Sequence, residues 1–191
     1  FLFFFFFFFF FFFQVLSSSI SNLTMLEHFY SSNDKTPSEL VGGIPVSFGQ
    51  LINLKCMYFS HNNLTAPLPS SLENLKNLQV FLARSNSMTG RLLNFSRLPK
   101  LVNIWLDGNK LEGTLTSFGT LQELTFLKID SNQFHGVVPA ELCSIHCDAS
   151  SNKNLTCPLP IKGCCQCTVC GDAPSVPLHP PKTSMGECIP Q

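Results

Sequence analysis

At 191 residues the chain has room for one ordinary domain or a short array of repeats. Twelve Lys and Arg balance twelve Asp and Glu and only 13% of residues are charged, so there is no basic excess to neutralise phosphates, and nucleic acid is excluded as a partner. An apolar fraction of 45% supports a core, although a run of phenylalanine inflates it.

Residues 1–13, FLFFFFFFFFFFF, have the length of a secretory signal's apolar region but carry neither a basic residue nor an initiating Met. As a helix they would span about 20 Å, short of a bilayer's hydrocarbon core. They are expected to be a low-complexity prefix, signal-like or artefactual, joined to a truncated repeat array rather than a cleaved signal or a membrane anchor.

Four segments then align on an asparagine: MYFSHNNLTAPLP, FLARSNSMTGRLL, IWLDGNKLEGTLT and LKIDSNQFHGVVP. Their anchors, Asn62, Asn86, Asn109 and Asn132, are 24, 23 and 23 residues apart. Ahead of each runs an apolar residue at every third place, as in Phe48-Leu51-Leu54-Met57 and Phe95-Leu98-Leu101-Ile104. One more apolar or small residue (Phe59, Ala83, Leu106, Ile129) stands three before each Asn. The ladder reappears earlier as Ile20-Leu23-Leu26-Phe29, with extra residues within NDKTPSE, and Ser17 falls where Pro45 and Pro69 stand in later coils. QVLSSSISNL thus reads as the tail of an incomplete first coil.

The pattern predicts a solenoid whose coils bury their apolar faces on one another. Apolar residues two apart, as in Met57-x-Phe59, predict a short strand with alternate side chains inward. The Asn amide can satisfy backbone groups where the chain turns out of that strand. Gly90, Gly113 and Gly136 relieve the next bend, and Pro45, Pro69 and Pro139 suit a return path that needs no ladder N–H. An amphipathic helical array is excluded, because Asn, Gly and Pro recur inside every candidate helix.

This pattern resembles leucine-rich repeats of the plant type, with consensus LxxLxxLxxLxLxxNxLxGxIP; LVGGIPVSFGQLINL and VVPAEL carry its Gly-x-Ile-Pro signature almost unaltered. The resemblance covers roughly residues 14–160, with Ala66 in place of the Gly and Leu93 and Thr116 in place of the Pro. It implies an α/β leucine-rich-repeat solenoid: a curved right-handed coil with a short parallel β-sheet on its concave face and an irregular or 3-10 convex side. The repeats are assigned to 14–142, about five coils with the first incomplete.

After Asn132 the rhythm tightens, and Cys147-x-Ala149-xx-Asn152 mimics strand and anchor one step early. The resemblance implies a cysteine-rich cap over 143–172 closing the core, with a Pro-rich tail over 173–191. Eight of nine cysteines crowd this end: Cys143, Cys147, Cys157, Cys164, Cys165, Cys167, Cys170 and Cys188. That density, with sequons at Asn22, Asn63, Asn94 and Asn154, points to disulfides and the secretory pathway. The competing reading is zinc or an iron–sulfur cluster on Cys164-Cys165-x-Cys167-xx-Cys170, which would leave the other cysteines unexplained. Pairing stays open; if the eight pair among themselves, Cys56 is the odd thiol.

No glycine-rich phosphate loop, H-E-x-x-H or G-x-S-x-G is present, so neither an enzyme nor a cofactor is expected. His146, Cys147 and Asp148 together suggest a cysteine nucleophile, but Cys147 falls in the strand-like slot of the cap, where a disulfide is the expected role. Alternation along the strands instead puts Tyr58, Leu82, Trp105 and Lys128 in one outward column. Beside it run Ser60, Arg84, Asp107 and Asp130, then His61, Ser85, Gly108 and Ser131. With strands about 4.8 Å apart, Tyr58, Leu82 and Trp105 make one apolar strip with Arg84 nearby, as binding hot spots favour. Tyr58, Leu82, Arg84, Trp105, Asp107, Lys128 and Asp130 are therefore the candidate ligand contacts.

The resemblance implies a recognition module of the receptor-like or secreted kind, extracellular or at the cell surface. Its implied ligand is a protein, a peptide or a cell-wall glycan, with a co-receptor as further partner and membrane association only through a segment outside this chain. The alternatives are a secreted matrix protein without a specific ligand and an intracellular metal-stapled repeat protein.

Overall fold

A computed structural model describes residues 15–31, 40–156 and Cys188. The poly-Phe run, the remainder of the cap from Cys157 and the Pro-rich tail apart from Cys188 lie outside the described residues. Among the described residues twelve short strands follow one another: β1 (His28–Tyr30), β2 (Val41–Gly42), β3 (Cys56–Tyr58), β4 (Asn63–Leu64), β5 (Val80–Leu82), β6 (Thr89–Arg91), β7 (Asn103–Trp105), β8 (Lys110–Gly113), β9 (Phe126–Lys128), β10 (Gln133–Val137), β11 (His146–Asp148) and β12 (Asn154–Thr156).

The odd-numbered strands form one parallel sheet in the order β1-β3-β5-β7-β9-β11, the concave sheet of a leucine-rich-repeat solenoid. Its register aligns Phe29, Met57, Phe81, Ile104, Leu127 and Cys147, and all six are buried in the core. Stacking like on like in this way removes an apolar side chain from water in every coil, worth roughly 1.5–3 kcal/mol each. Aromatic residues fill the wider spaces: Phe48 meets Phe29 edge-on at 5.1 Å, and Phe95 stacks on Phe118 at 4.8 Å.

Strands β3, β5, β7, β9 and β11 each leave the sheet through an asparagine. Asn109 accepts from the Met88 N–H (3.0 Å) and donates to the carbonyls of Ala83 and Leu106 (both 3.0 Å), so one side chain ties two coils together. Asn62, Asn86 and Asn132 repeat this, and so does Asn152, which holds the Phe134 N–H at 3.0 Å. The last coil's strands pair with β9 and β10, so coil geometry continues to Thr156, inside the segment assigned above to the cap.

The return path is a row of 3-10 turns (Ser18–Asn22, Val46–Gln50, Ser70–Asn74, Phe95–Arg97, Ala140–Ser144). Pro45, Pro69 and Pro139 stand at their N-caps with extended ψ and no side-chain cap. Ser17 fills the same place in the first coil and compensates for the missing ring: its Oγ accepts from the Ser19 N–H at 3.2 Å. Where Thr116 replaces the proline, the path runs through plain turns. Gly90, Gly113 and Gly136 do take positive φ, at 80°, 113° and 89°.

A second parallel sheet, β6-β8-β10-β12, and the pair β2-β4 flank the concave sheet, and sequence reading did not foresee them. Their signal is the apolar residue two after each anchor (Leu64, Met88, Leu111, Phe134), buried in every coil. No described helix is long and apolar enough to cross a membrane.

Candidate ligand-binding face

The register carries the outward residues into columns as surely as the inward ones. Tyr30, Tyr58, Leu82, Trp105, Lys128 and Asp148 stand side by side across six strands. The Tyr30 and Tyr58 rings meet at 4.7 Å, so the apolar strip starts one coil earlier than the sequence reading had it. A parallel column, His28, Cys56, Val80, Asn103, Phe126 and His146, was missed altogether. Its signal is the residue before each inward strand position. His146 stacks on Phe126 at 4.8 Å, a packing role rather than that of a base for Cys147.

Trp105 is the centre of the face. The Arg84 guanidinium lies 5.6 Å from its ring centroid and the Lys128 ammonium 5.9 Å, both within cation–π range. Each cation also has a carboxylate: Arg84 Nε is 3.5 Å from Asp107 Oδ2, and Lys128 Nζ is 3.9 Å from Asp130 Oδ1. The structure thus brings Arg84, Trp105, Asp107, Lys128 and Asp130 into one cluster.

Burial dominates the titration of this cluster. It pushes the Asp107 carboxyl up from 3.8 to about 6, with the Asp130 charge adding to the rise and Arg84 and Lys128 opposing it. Asp130 is raised too, by burial and then by Asp148, against Lys128. The Tyr58 hydroxyl is raised by burial, with Tyr30 contributing. Ser60 Oγ, Trp105 Nε1 and Asp107 Oδ1 are buried without a hydrogen-bond partner among the described residues. Buried polar groups are rarely left so, because each costs about 1–3 kcal/mol. The indole N–H is a donor and the carboxylate oxygen an acceptor, two residues apart in the chain and both buried.

The apolar strip is not the open surface the sequence reading expected: Tyr58 is 5%, Leu82 6% and Trp105 1% exposed. Cys56 is not an odd thiol but is disulfide-bonded to Cys188, 132 residues away. Cys188, one of the eight expected disulfide cysteines, is bonded, but the eight do not all pair among themselves, because Cys56 lies beside the strip and meets Cys188 there. The Tyr58 hydroxyl donates to the Cys188 carbonyl at 2.5 Å. Cys56, Tyr58, Val80, Leu82, Trp105 and Cys188 form a buried cluster of their own, with Tyr30 packed against it. Of the other disulfide candidates, Cys147 is buried in the core beside Leu127, while the Cys143 side chain and Cys157, Cys164, Cys165, Cys167 and Cys170 lie outside the described residues. No metal-holding group occurs among the described residues, which do not include the four cysteines of the metal reading.

All four sequon asparagines, Asn22, Asn63, Asn94 and Asn154, are exposed, and none lies on the concave sheet. His61, Ser85 and Ser131 take positive φ of 57°, 53° and 56°, the bend that aims each anchor Asn inward.

Coils of this register, with a concave parallel sheet and a buried asparagine ladder, define a leucine-rich-repeat solenoid. The Leucine Rich Repeat family profile matches residues 53–75. Receptor-like protein 39 of Arabidopsis thaliana is 36% identical over 86 residues, 44% of this chain and 9% of that protein. Among solved structures, a TDR receptor superposes with a TM-score of 0.66 at 31% identity, over 72% of this chain and 24% of that one. The Arabidopsis receptor kinase HAESA ectodomain, solved with an N-terminally extended IDA peptide hormone ligand, gives 0.61 at 29% identity, over 73% of this chain and 23% of that one. The chain is a leucine-rich-repeat protein of the plant type, and it spans less than a quarter of each of these relatives.

Proposed function

We propose that this chain is a non-enzymatic recognition module, extracellular or at the cell surface, that binds an extended peptide along the concave sheet, centred on Trp105. The carrying observation is the cluster of Arg84, Trp105, Asp107, Lys128 and Asp130, with the Trp105 indole N–H and Asp107 Oδ1 both without a hydrogen-bond partner among the described residues. A peptide backbone supplies a carbonyl for the first and an N–H for the second at adjacent residues, and its side chains can lie on the apolar strip. The likeness to an ectodomain solved with a peptide hormone supports the peptide over the glycan. Sequons confined to the other faces leave the sheet clear of glycans and the rim accessible to a co-receptor. Membrane attachment is assigned to a segment outside this chain.

The test is calorimetry on the full chain, made through a secretory host, against a panel of short synthetic peptides and cell-wall oligosaccharides. At least one peptide is expected to saturate. Trp105→Ala and Asp107→Asn should each weaken it at least tenfold, about 1.4 kcal/mol. Failure of every peptide to saturate, or indifference to both substitutions, overturns the reading; saturation by an oligosaccharide alone moves the face to a glycan.

A further inference from the structure

We infer that the apolar end of the concave face is a docking site for this chain's own carboxy-terminal segment at Cys188, which an external ligand must share or displace. The inference rests on the proposed use of this face for binding. Outward residues of a concave sheet stand in solvent unless something covers them, yet Tyr58, Leu82 and Trp105 are buried in a cluster separate from the main core. Among the described residues, the member of that cluster from outside the sheet is Cys188, itself fully buried.

Two attachments of different chemistry hold it. The disulfide to Cys56 fixes it over β3, and the Tyr58 hydroxyl donates to its main-chain carbonyl. The second contact is the one a bound peptide would make: a backbone carbonyl accepting from a side chain at the edge of an apolar strip. Cys188 therefore occupies the strip as a ligand would, and the disulfide makes it a neighbour at high effective concentration. The charged end, around Lys128 and Asp130, is two strands away from Leu82 and carries no such attachment among the described residues. An external ligand accordingly gains its first hold there and competes with Cys188 once it reaches Trp105.

Trp105 is the only tryptophan in the chain, so its fluorescence reports this strip without labels. The full chain is compared with its Cys56→Ser/Cys188→Ser variant by emission maximum and acrylamide quenching, with far-UV circular dichroism to verify folding. Release of the segment should shift emission to the red and raise the quenching constant, as for a buried side chain that becomes open to solvent. Unchanged emission and quenching in a folded variant overturn the inference. Where the variant does not fold, non-reducing peptide mapping of the native chain decides: a Cys56–Cys188 linkage upholds it, and Cys188 joined to any other cysteine overturns it. Neither readout uses a ligand, so failure here is distinct from failure of the peptide-binding reading.

Discussion

The two ends of the concave face share a backbone and differ in everything built on it. At one end Tyr30, Tyr58 and Leu82 are apolar and lie under or beside Cys188; at the other, Lys128, Asp130 and Asp148 are charged. Burial stabilises the first end, at roughly 25 cal/mol per Å² of apolar surface. At the second it opposes ionisation, which is why the Asp107 and Asp130 carboxyls are both raised from their ordinary value. Trp105 lies at the seam, with an apolar neighbour in Leu82 on one strand and a charged one in Lys128 on the other. A regular solenoid thus sets identical positions in space and leaves the outward residue free to make one end adhesive and the other discriminating.

If the backbone is common to both ends, removing an anchor from either should cost nearly the same. Asn86 accepts from Leu64 N–H at 3.0 Å and donates to Phe59 and Ala83; Asn132 accepts from Leu111 N–H at 3.0 Å and donates to Leu106 and Ile129. Asn86→Ala or Asn132→Ala leaves the Leu64 or Leu111 N–H without a partner, while the carbonyls keep the donor that a neighbouring anchor supplies, a cost of up to about 3 kcal/mol in each case. Urea denaturation of the two variants should give losses within about 1 kcal/mol of each other, the spread ordinary for such substitutions. A larger gap would mean that one end is held by something other than the ladder.

The outward difference should show as a pH dependence. The Asp107 carboxyl is raised from 3.8 to about 6, so between those values the folded chain holds a proton that the unfolded chain has released. Stability should therefore rise as pH falls from about 6 to 4, by on the order of 2 kcal/mol. Asp107→Asn should remove most of that slope; Asp130, raised as well, leaves a part of the same sign, and Glu27, lowered by Lys55, opposes it. Thermal melts across that window measure it. A slope of opposite sign would show that Arg84 and Lys128 outweigh burial.

What could be read beforehand divides along the same inner and outer lines. Inward positions repeat every coil, because each must fill the same gap, so Met57, Phe81, Ile104, the anchors and even the early Asn152 were legible from spacing alone. The outward columns of Tyr58, Leu82, Trp105 and Lys128 followed from strand alternation, and the register brings them together. What escaped was anything set by a contact distant in sequence. The Cys56–Cys188 bond closes 132 residues, and no local pattern distinguishes it from the other pairings of a cysteine-rich end. The ion pairs of Arg84 with Asp107 and of Lys128 with Asp130 depend on which way long side chains lean across strands, which spacing does not specify.

The smallest expected effect concerns the bend that joins the inner and outer faces. One residue before the anchor, Ser85 and Ser131 adopt left-handed φ of 53° and 56°, while Gly108 occupies the same place in the coil between them at 64°. An L-residue pays about 1–2 kcal/mol for that conformation, and glycine avoids it but adds roughly 0.5–1 kcal/mol of chain entropy on folding. Ser85→Gly should therefore stabilise the chain by a net amount of about 0.5 kcal/mol. Ser131→Gly should gain less, because the Ser131 hydroxyl donates to Asp130 Oδ2 at 3.2 Å and would be lost with the side chain. Paired melts of the two variants test whether the bend is mere backbone strain, equal at both ends, or has been put to use at the charged end. Equal gains would remove Ser131 from the network around Asp130; a smaller gain or a loss at 131 alone would make its hydroxyl part of that network.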